Sequence, residues 1–235
     1  MKALFVMALA ACGGAASVHK SPDFVEYATP RDKVAYESSV RLSVTCPGGD
    51  DRSGSGVAVS RRHILTAYHV VDCSGAKPIH IAVLLRYGAV VDMDVDAIDE
   101  DADVARLVSF PMKRPFSTYS EVRVNPLRVG EEVYSIGGDT PNIFGVKKTG
   151  YVTAIGVCQY QSWQPDPRKL PYWWHSSIPV VPGNSGSGVF DSRGRVVGIV
   201  NTWNGSFNRE QGGGHFGVWA FWQLLPIAEM RWSML

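Results

Sequence analysis

Hydrolysis of an amide by a serine needs four things: the nucleophile, a base to take its proton, a carboxylate to orient that base, and donors for the developing oxyanion. The segment Pro182-Gly183-Asn184-Ser185-Gly186-Ser187-Gly188 offers the nucleophile directly before a β-branched run. Glycines around a serine allow a sharp turn and a close approach of backbone to substrate, so the amides of Gly183 and Ser185 are candidate oxyanion donors. Ser187 is a rival nucleophile, but it stands where the strand should begin. The candidate base is His69, at the end of the apolar segment His63-Ile-Leu-Thr-Ala-Tyr-His69. The candidate carboxylate is Asp103 in Asp101-Ala-Asp103-Val-Ala-Arg-Leu107, with Asp101 as the alternative. Taken singly, these are also what a Gly/Ser turn, a strand-edge histidine and a turn aspartate look like. Their order, His then Asp then Ser at intervals of about 35 and 80 residues, is what points to triad chemistry.

Such groups need rigid elements to hold them. Short β-type runs separated by turn residues predict strands over 40–46, 56–60, 63–67, 79–87, 90–98 and 104–110. A second series follows over 132–136, 146–155, 172–176, 188–190, 196–202 and 216–221. The pattern fits barrels or sandwiches rather than βαβ units. A short C-terminal helix is expected over 222–230, interrupted by Pro226. Residues 47–53 read as a flexible insertion. The aromatic stretch 160–174 reads as a barrel cap or as a cleft wall.

Composition narrows the setting. The 235 residues carry a net charge of +1, which gives no broad field for nucleic acid or an anionic membrane, so function must come from a site. The N-terminal stretch, Lys2 followed by an apolar run to Ala11 and small residues, reads as an export signal too short to span a bilayer. Leu9-Ala10-Ala11-Cys12 resembles the bacterial lipoprotein box, which makes Cys12 a lipidation candidate and a tether to a membrane. Cleavage near Ala16 is the alternative. Expected localisation is therefore periplasmic or cell-surface and lipid-anchored, or otherwise secreted. Export favours disulfides. Of Cys46, Cys73 and Cys158, the expected bridge joins Cys46 to Cys73, because it closes a loop around His69; Cys158 is then a buried thiol.

The segments Gly54-Ser-Gly56-Val with Ile64-Leu-Thr-Ala-Tyr-His69, Asp103-Val-Ala-Arg-Leu and Gly183-Asn-Ser185-Gly-Ser187 together resemble the chymotrypsin-fold, trypsin-like serine proteases. The likeness is greatest to bacterial members such as the high-temperature-requirement and glutamyl-endopeptidase groups. The resemblance implies an all-β fold of two packed six-stranded antiparallel barrels with the triad in the cleft between them. It further implies His69 as general base then acid, Asp103 as its orienting partner, and Gly183 and Ser185 amides as the oxyanion hole. Residues 1–16 are then the signal, 17–33 a linker, and 34–235 the peptidase domain, with barrels over about 34–115 and 120–225.

Three departures stand out: Tyr68 where the family has a small residue, Gly188 where proline is common, and no Ile-Val-Gly-Gly activation sequence. The expected substrate pocket involves His175 and Val200, Asn201, Thr202 and Trp203. With no acidic residue in 175–181 or 199–203, a buried Lys or Arg would lack a partner. Glutamyl endopeptidases carry a histidine where Val200 stands. Small or medium uncharged residues are therefore expected before the scissile bond of a protein or peptide substrate.

Rival chemistries fit less well. An α/β-hydrolase needs glycine at the position of Ser187 and its Asp and His downstream of the serine. No cofactor or metal is expected, since the six histidines show no His-x-x-x-His spacing. An inert binding module or surface lipoprotein with the protease fold is the remaining alternative.

Overall fold

The computed structural model describes residues 30–100, 103–110, 113–123, 125, 127–140, 143–155, 173–204 and 219–223. The described chain is mostly β. Its first sheet consists of β1 (Ser39–Thr45), β2 (Asp51–Ala58), β3 (His63–Ala67), β4 (His80–Leu84), β5 (Val90–Asp99) and β6 (Val104–Ser109). It closes as a six-stranded antiparallel barrel in the order β1-β2-β3-β6-β5-β4. Alternation explains the closure: Val40, Leu42 and Val44 of β1 are buried while Arg41 and Ser43 face outward. These valines and leucine meet Ile64, Ile81, Val83 and Leu107 in one core.

The second antiparallel sheet holds β7 (Glu132–Thr140), β8 (Ile143–Ile155), β9 (Trp173–Ser176), β10 (Gly188–Asp191), β11 (Val196–Asn204) and β12 (Trp219–Gln223), ordered β10-β11-β12-β9-β8-β7. A separate core of Val133, Val152, Ile178, Val189 and Val197 fills it. A third cluster joins the sheets: Val57, Val59 and Leu65 from the first pack with Tyr134, Ile136, Phe190 and Ile199 from the second. The Tyr134 and Phe190 rings stack at 5.4 Å.

Three expectations are corrected. Residues 30–38, expected as the end of the linker and the start of the peptidase domain ahead of its first strand, form helix α1 (Pro30–Ser38). Proline suits a first helical turn, and Asp32 follows it there. A nine-residue helix is marginal alone, and this one is held by its surroundings: Ala35 and Tyr36 are buried, Lys147 pairs with Asp32 at 2.8 Å, and Ser38 Oγ meets Ser120 Oγ at 2.7 Å. Residues 47–53 are not all insertion. Only 47–50 turn, with Gly48 and Gly49 at positive φ, and Asp51 already pairs with Thr45. Trp222 and Gln223, expected to begin a helix, end β12; the rest of that stretch lies outside the described residues.

The segment between the sheets is sewn to both. Ser120 N donates to Ala58 O, and Arg123 N donates to Val196 O while Val196 N donates to Glu121 O. Buried Asp191 anchors this seam. Its Oδ1 accepts from the amides of Arg193 and Arg195, and its Oδ2 accepts from the Arg195 guanidinium at 2.7 and 3.0 Å. Arg123 approaches the same oxygen at 3.5 Å and also pairs with Glu131, whose hydrogen bond is the main reason its pKa is raised.

Cys46 and Cys73 form the expected disulfide, across 27 residues of chain. Removing Asp191 takes the acceptor from the Arg195 guanidinium and from the Arg193 and Arg195 amides, so Asp191→Ala is expected to lose about 2–3 kcal/mol in chemical denaturation. The Cys46→Ser, Cys73→Ser double variant is expected to lose about 3–4 kcal/mol from the freed loop, and adding reductant should lower Tm only in the parent protein.

Candidate active site

His69 sits in α2 (Tyr68–Val71), a single helical turn that begins where β3 ends. Val70 and Val71 are buried beneath it, which turns the imidazole outward, 46% exposed. Asp103 is buried and stands at the entrance to β6. Its amide donates to Glu100 O, and its φ of 51° lies in the left-handed region that aspartate tolerates better than most residues.

This turn aims both carboxylate oxygens at His69. Oδ1 accepts from the His69 amide at 2.8 Å, and Oδ2 meets Nδ1 at 2.7 Å. Asp103 O in turn accepts from Tyr68 N at 3.1 Å. A carboxylate only accepts, so Nδ1 carries a proton, and in the neutral imidazole that leaves the lone pair on Nε2, as a base requires. Tyr68, the departure beside His69, directs its hydroxyl to Glu100 at 3.3 Å. Burial, then the Asp72 and Glu100 carboxylates, raise the pKa of that phenol.

The serine loop is wound tightly on the second sheet. Asn184 N donates to Val181 O, Ser187 N to Asn184 O, and Gly186 N to Val200 O. The buried Asn184 side chain accepts from Val181 N and Lys148 Nζ and donates to Gly138 O. Among the described residues, the amides of Gly183 and Ser185 have no backbone acceptor, whereas the three amides that interleave with them and follow are committed.

Ser185 is half-buried; Ser187 is fully buried, and its Oγ has no partner among the described residues. Ser187 is thus inaccessible as a nucleophile. Its hydroxyl occupies the space that a Cβ on Gly137 would need. Gly186, at φ 82°, has no room for a side chain either, since Ser55 O and Thr66 Oγ1 fill that space.

The two sheets bring the loop beside α2. Ser55 N donates to Ser185 O at 2.8 Å, and a Cβ on Gly54 would meet both Val70 and Ser185 O. His69 and Asp103 are therefore joined directly, and Ser185 lies at the adjoining edge. Asp101, Cys12 and Cys158 lie outside the described residues.

Val200 is buried on β11, exchanging hydrogen bonds with the serine loop through Ser187 O and Gly186 N. Asn201, Thr202 and Trp203 continue that strand past a bulge. His175 lies on β9 opposite Phe221, and β12 separates it from β11. Of the aromatic stretch 160–174, only Trp173 and Trp174 are within the described residues, on β9. No local signal marks Ser55, although it stands inside the Gly54-Ser55-Gly56 motif. Only the contact between sheets reveals what its hydroxyl touches.

The family model for the trypsin-like peptidase domain matches residues 54–199. The chain is 31% identical over 149 residues to the chloroplastic Protease Do-like 1 of Arabidopsis thaliana, covering 63% of this chain and 32% of that protein. It is 29% identical over 156 residues to protein y4bJ of Sinorhizobium fredii, covering 66% of this chain and 22% of that protein. It thus spans about a third or less of these curated relatives. Its fold is similar to that of the HtrA-type protease AlgW solved with a tripeptide, with a TM-score of 0.66, 22% identity, and coverage of 86% of this chain and 61% of that one. The matched segment takes in more than half of the chain, with His69, Asp103 and Ser185 inside it, and the chain belongs to the trypsin-like serine protease family.

Proposed function

We propose that this chain is a serine endopeptidase working through an acyl-enzyme. The observation that carries the reading is the two-point grip of Asp103 on the exposed His69, beside a serine loop with two amides that have no backbone acceptor among the described residues. Ser185 Oγ attacks the scissile carbonyl as His69 Nε2 takes its proton. The resulting oxyanion is met by the Gly183 and Ser185 amides. His69 then gives the proton to the leaving amine, which departs and leaves an ester on Ser185. Water activated by the same imidazole hydrolyses that ester. Asp103 keeps the tautomer and stabilises the imidazolium without itself taking the proton.

The second sheet is read as the second six-stranded barrel, since β7 pairs with both β8 and β10. Substrates are proteins or peptides, a reading supported by the tripeptide held by AlgW. The residue before the scissile bond is small or medium and uncharged, because buried Val200 flanks the serine loop and no acidic residue stands in the strand that contains it. Export, with a lipid tether at Cys12, completes the proposal. The competing binding-module reading is the less favoured, since the sequence retains a histidine, an aspartate and a serine in the order that the chemistry uses.

A fluorophosphonate probe should label the protein and fail to label Ser185→Ala; no labelling of the parent would favour the inert module. Asp103→Asn should lower kcat by about 10⁴-fold through loss of the correct tautomer. Dominant cleavage after Lys, Arg or Glu in a peptide library would overturn the pocket assignment.

A further inference from the structure

All the polar groups of Ser55 are engaged, and most of them reach across to the other sheet. Its amide donates to Ser185 O at 2.8 Å. Its hydroxyl donates to Gly183 O at 2.8 Å and accepts from Gly138 N at 3.0 Å, while its own carbonyl accepts from Thr66 Oγ1 at 2.7 Å. The residue is 0% exposed. A hydroxyl has one hydrogen, and here it is spent on Gly183.

That target matters because Gly183 holds a φ of 98°. Glycine has no Cβ to restrict rotation, so its peptide planes turn at little cost unless a partner fixes them. The Gly183–Asn184 peptide lies between the two amides assigned to the oxyanion, and its orientation sets their relative direction. Ser55 grips the chain on either side of Asn184: Oγ holds the carbonyl of Gly183 and N holds the carbonyl of Ser185. With both carbonyls drawn toward the first barrel, the Gly183 and Ser185 amides have a fixed geometry.

We propose that Ser55 is a positioning residue for oxyanion stabilisation, acting through its hydroxyl on the Gly183 peptide. The inference rests on the peptidase reading. It also predicts a signature different from that of a structural residue. The donors act on charge that exists only in the transition state, so misaiming them lowers kcat and spares ground-state binding.

The test compares the parent, Ser55→Ala and Ser55→Thr, with kcat expressed per site titrated by a fluorophosphonate so that only folded protein counts. Ser55→Ala keeps the hydrogen bond that its amide donates to Ser185 O and loses only the hydroxyl. It should lower kcat about 10- to 100-fold, with KM within about twofold and an unchanged pH midpoint for kcat/KM, because His69 and Asp103 are untouched. A peptide boronate, which forms a tetrahedral adduct on Ser185, should lose affinity by a similar factor, while a product peptide binds as before. Ser55→Thr, which retains the hydroxyl, should recover most of kcat.

Retention of kcat in Ser55→Ala, parallel losses in kcat and product binding, or a shifted pH midpoint would each overturn the proposal. So would a Ser55→Ala chain that no longer folds, which assigns Ser55 to the architecture alone. A parent protein that does not react with the probe defeats the peptidase reading itself, and is told apart by that control.

Discussion

His69 and Asp103 belong to one sheet and Ser185 to the other, so everything depends on how the two sheets are held in register. Apolar packing supplies most of the attraction: Leu65 and Val57 meet Ile136, Phe190 and Ile199 with hardly any exposed surface among them. Packing of that kind is strong but not directional. Direction comes from the polar contacts of Ser55 and from glycines that let the backbones approach. Gly186 illustrates the second device, since its missing side chain is what allows Ser55 O and Thr66 Oγ1 to lie against the serine loop.

Within the first sheet, the same economy places the His69 imidazole and the Asp103 carboxylate. One helical turn on buried valines presents the imidazole, and one left-handed aspartate at the start of β6 presents the carboxylate. β3 and β6 are directly paired, Ala67 against Val104, so the residues just beyond those ends are neighbours by register. The bond from Tyr68 N to Asp103 O carries the ladder one step further. The disulfide then ties the chain leaving α2 to the end of β1, limiting how far that turn can move.

Much of this was legible in the sequence, because alternation and chain order are local signals. The apolar run 63–67 predicts β3 at its observed bounds, and His69 and Asp103 stand where their strands end and begin. The bridge between Cys46 and Cys73 also followed from position. Helix α1 was missed because its hold is tertiary: Asp32 needs Lys147, and Ser38 needs Ser120, both far along the chain. The early start of β2 was missed because Asp51 and Arg52 look like loop residues until β1 pairs with them. Ser55 was visible as part of a motif, yet its hydroxyl bonds depend on a loop more than a hundred residues away.

The contact between Gly137 and Ser187 has a historical side. The hydroxyl of Ser187 fills the place where any side chain at position 137 would begin. Descendants of this sequence cannot explore those two sites in either order. A side chain at 137 finds room once 187 has shrunk to glycine, whereas the reverse order first sets a Cβ at 137 against the Ser187 side chain. The pair therefore constrains the order in which these two positions can change.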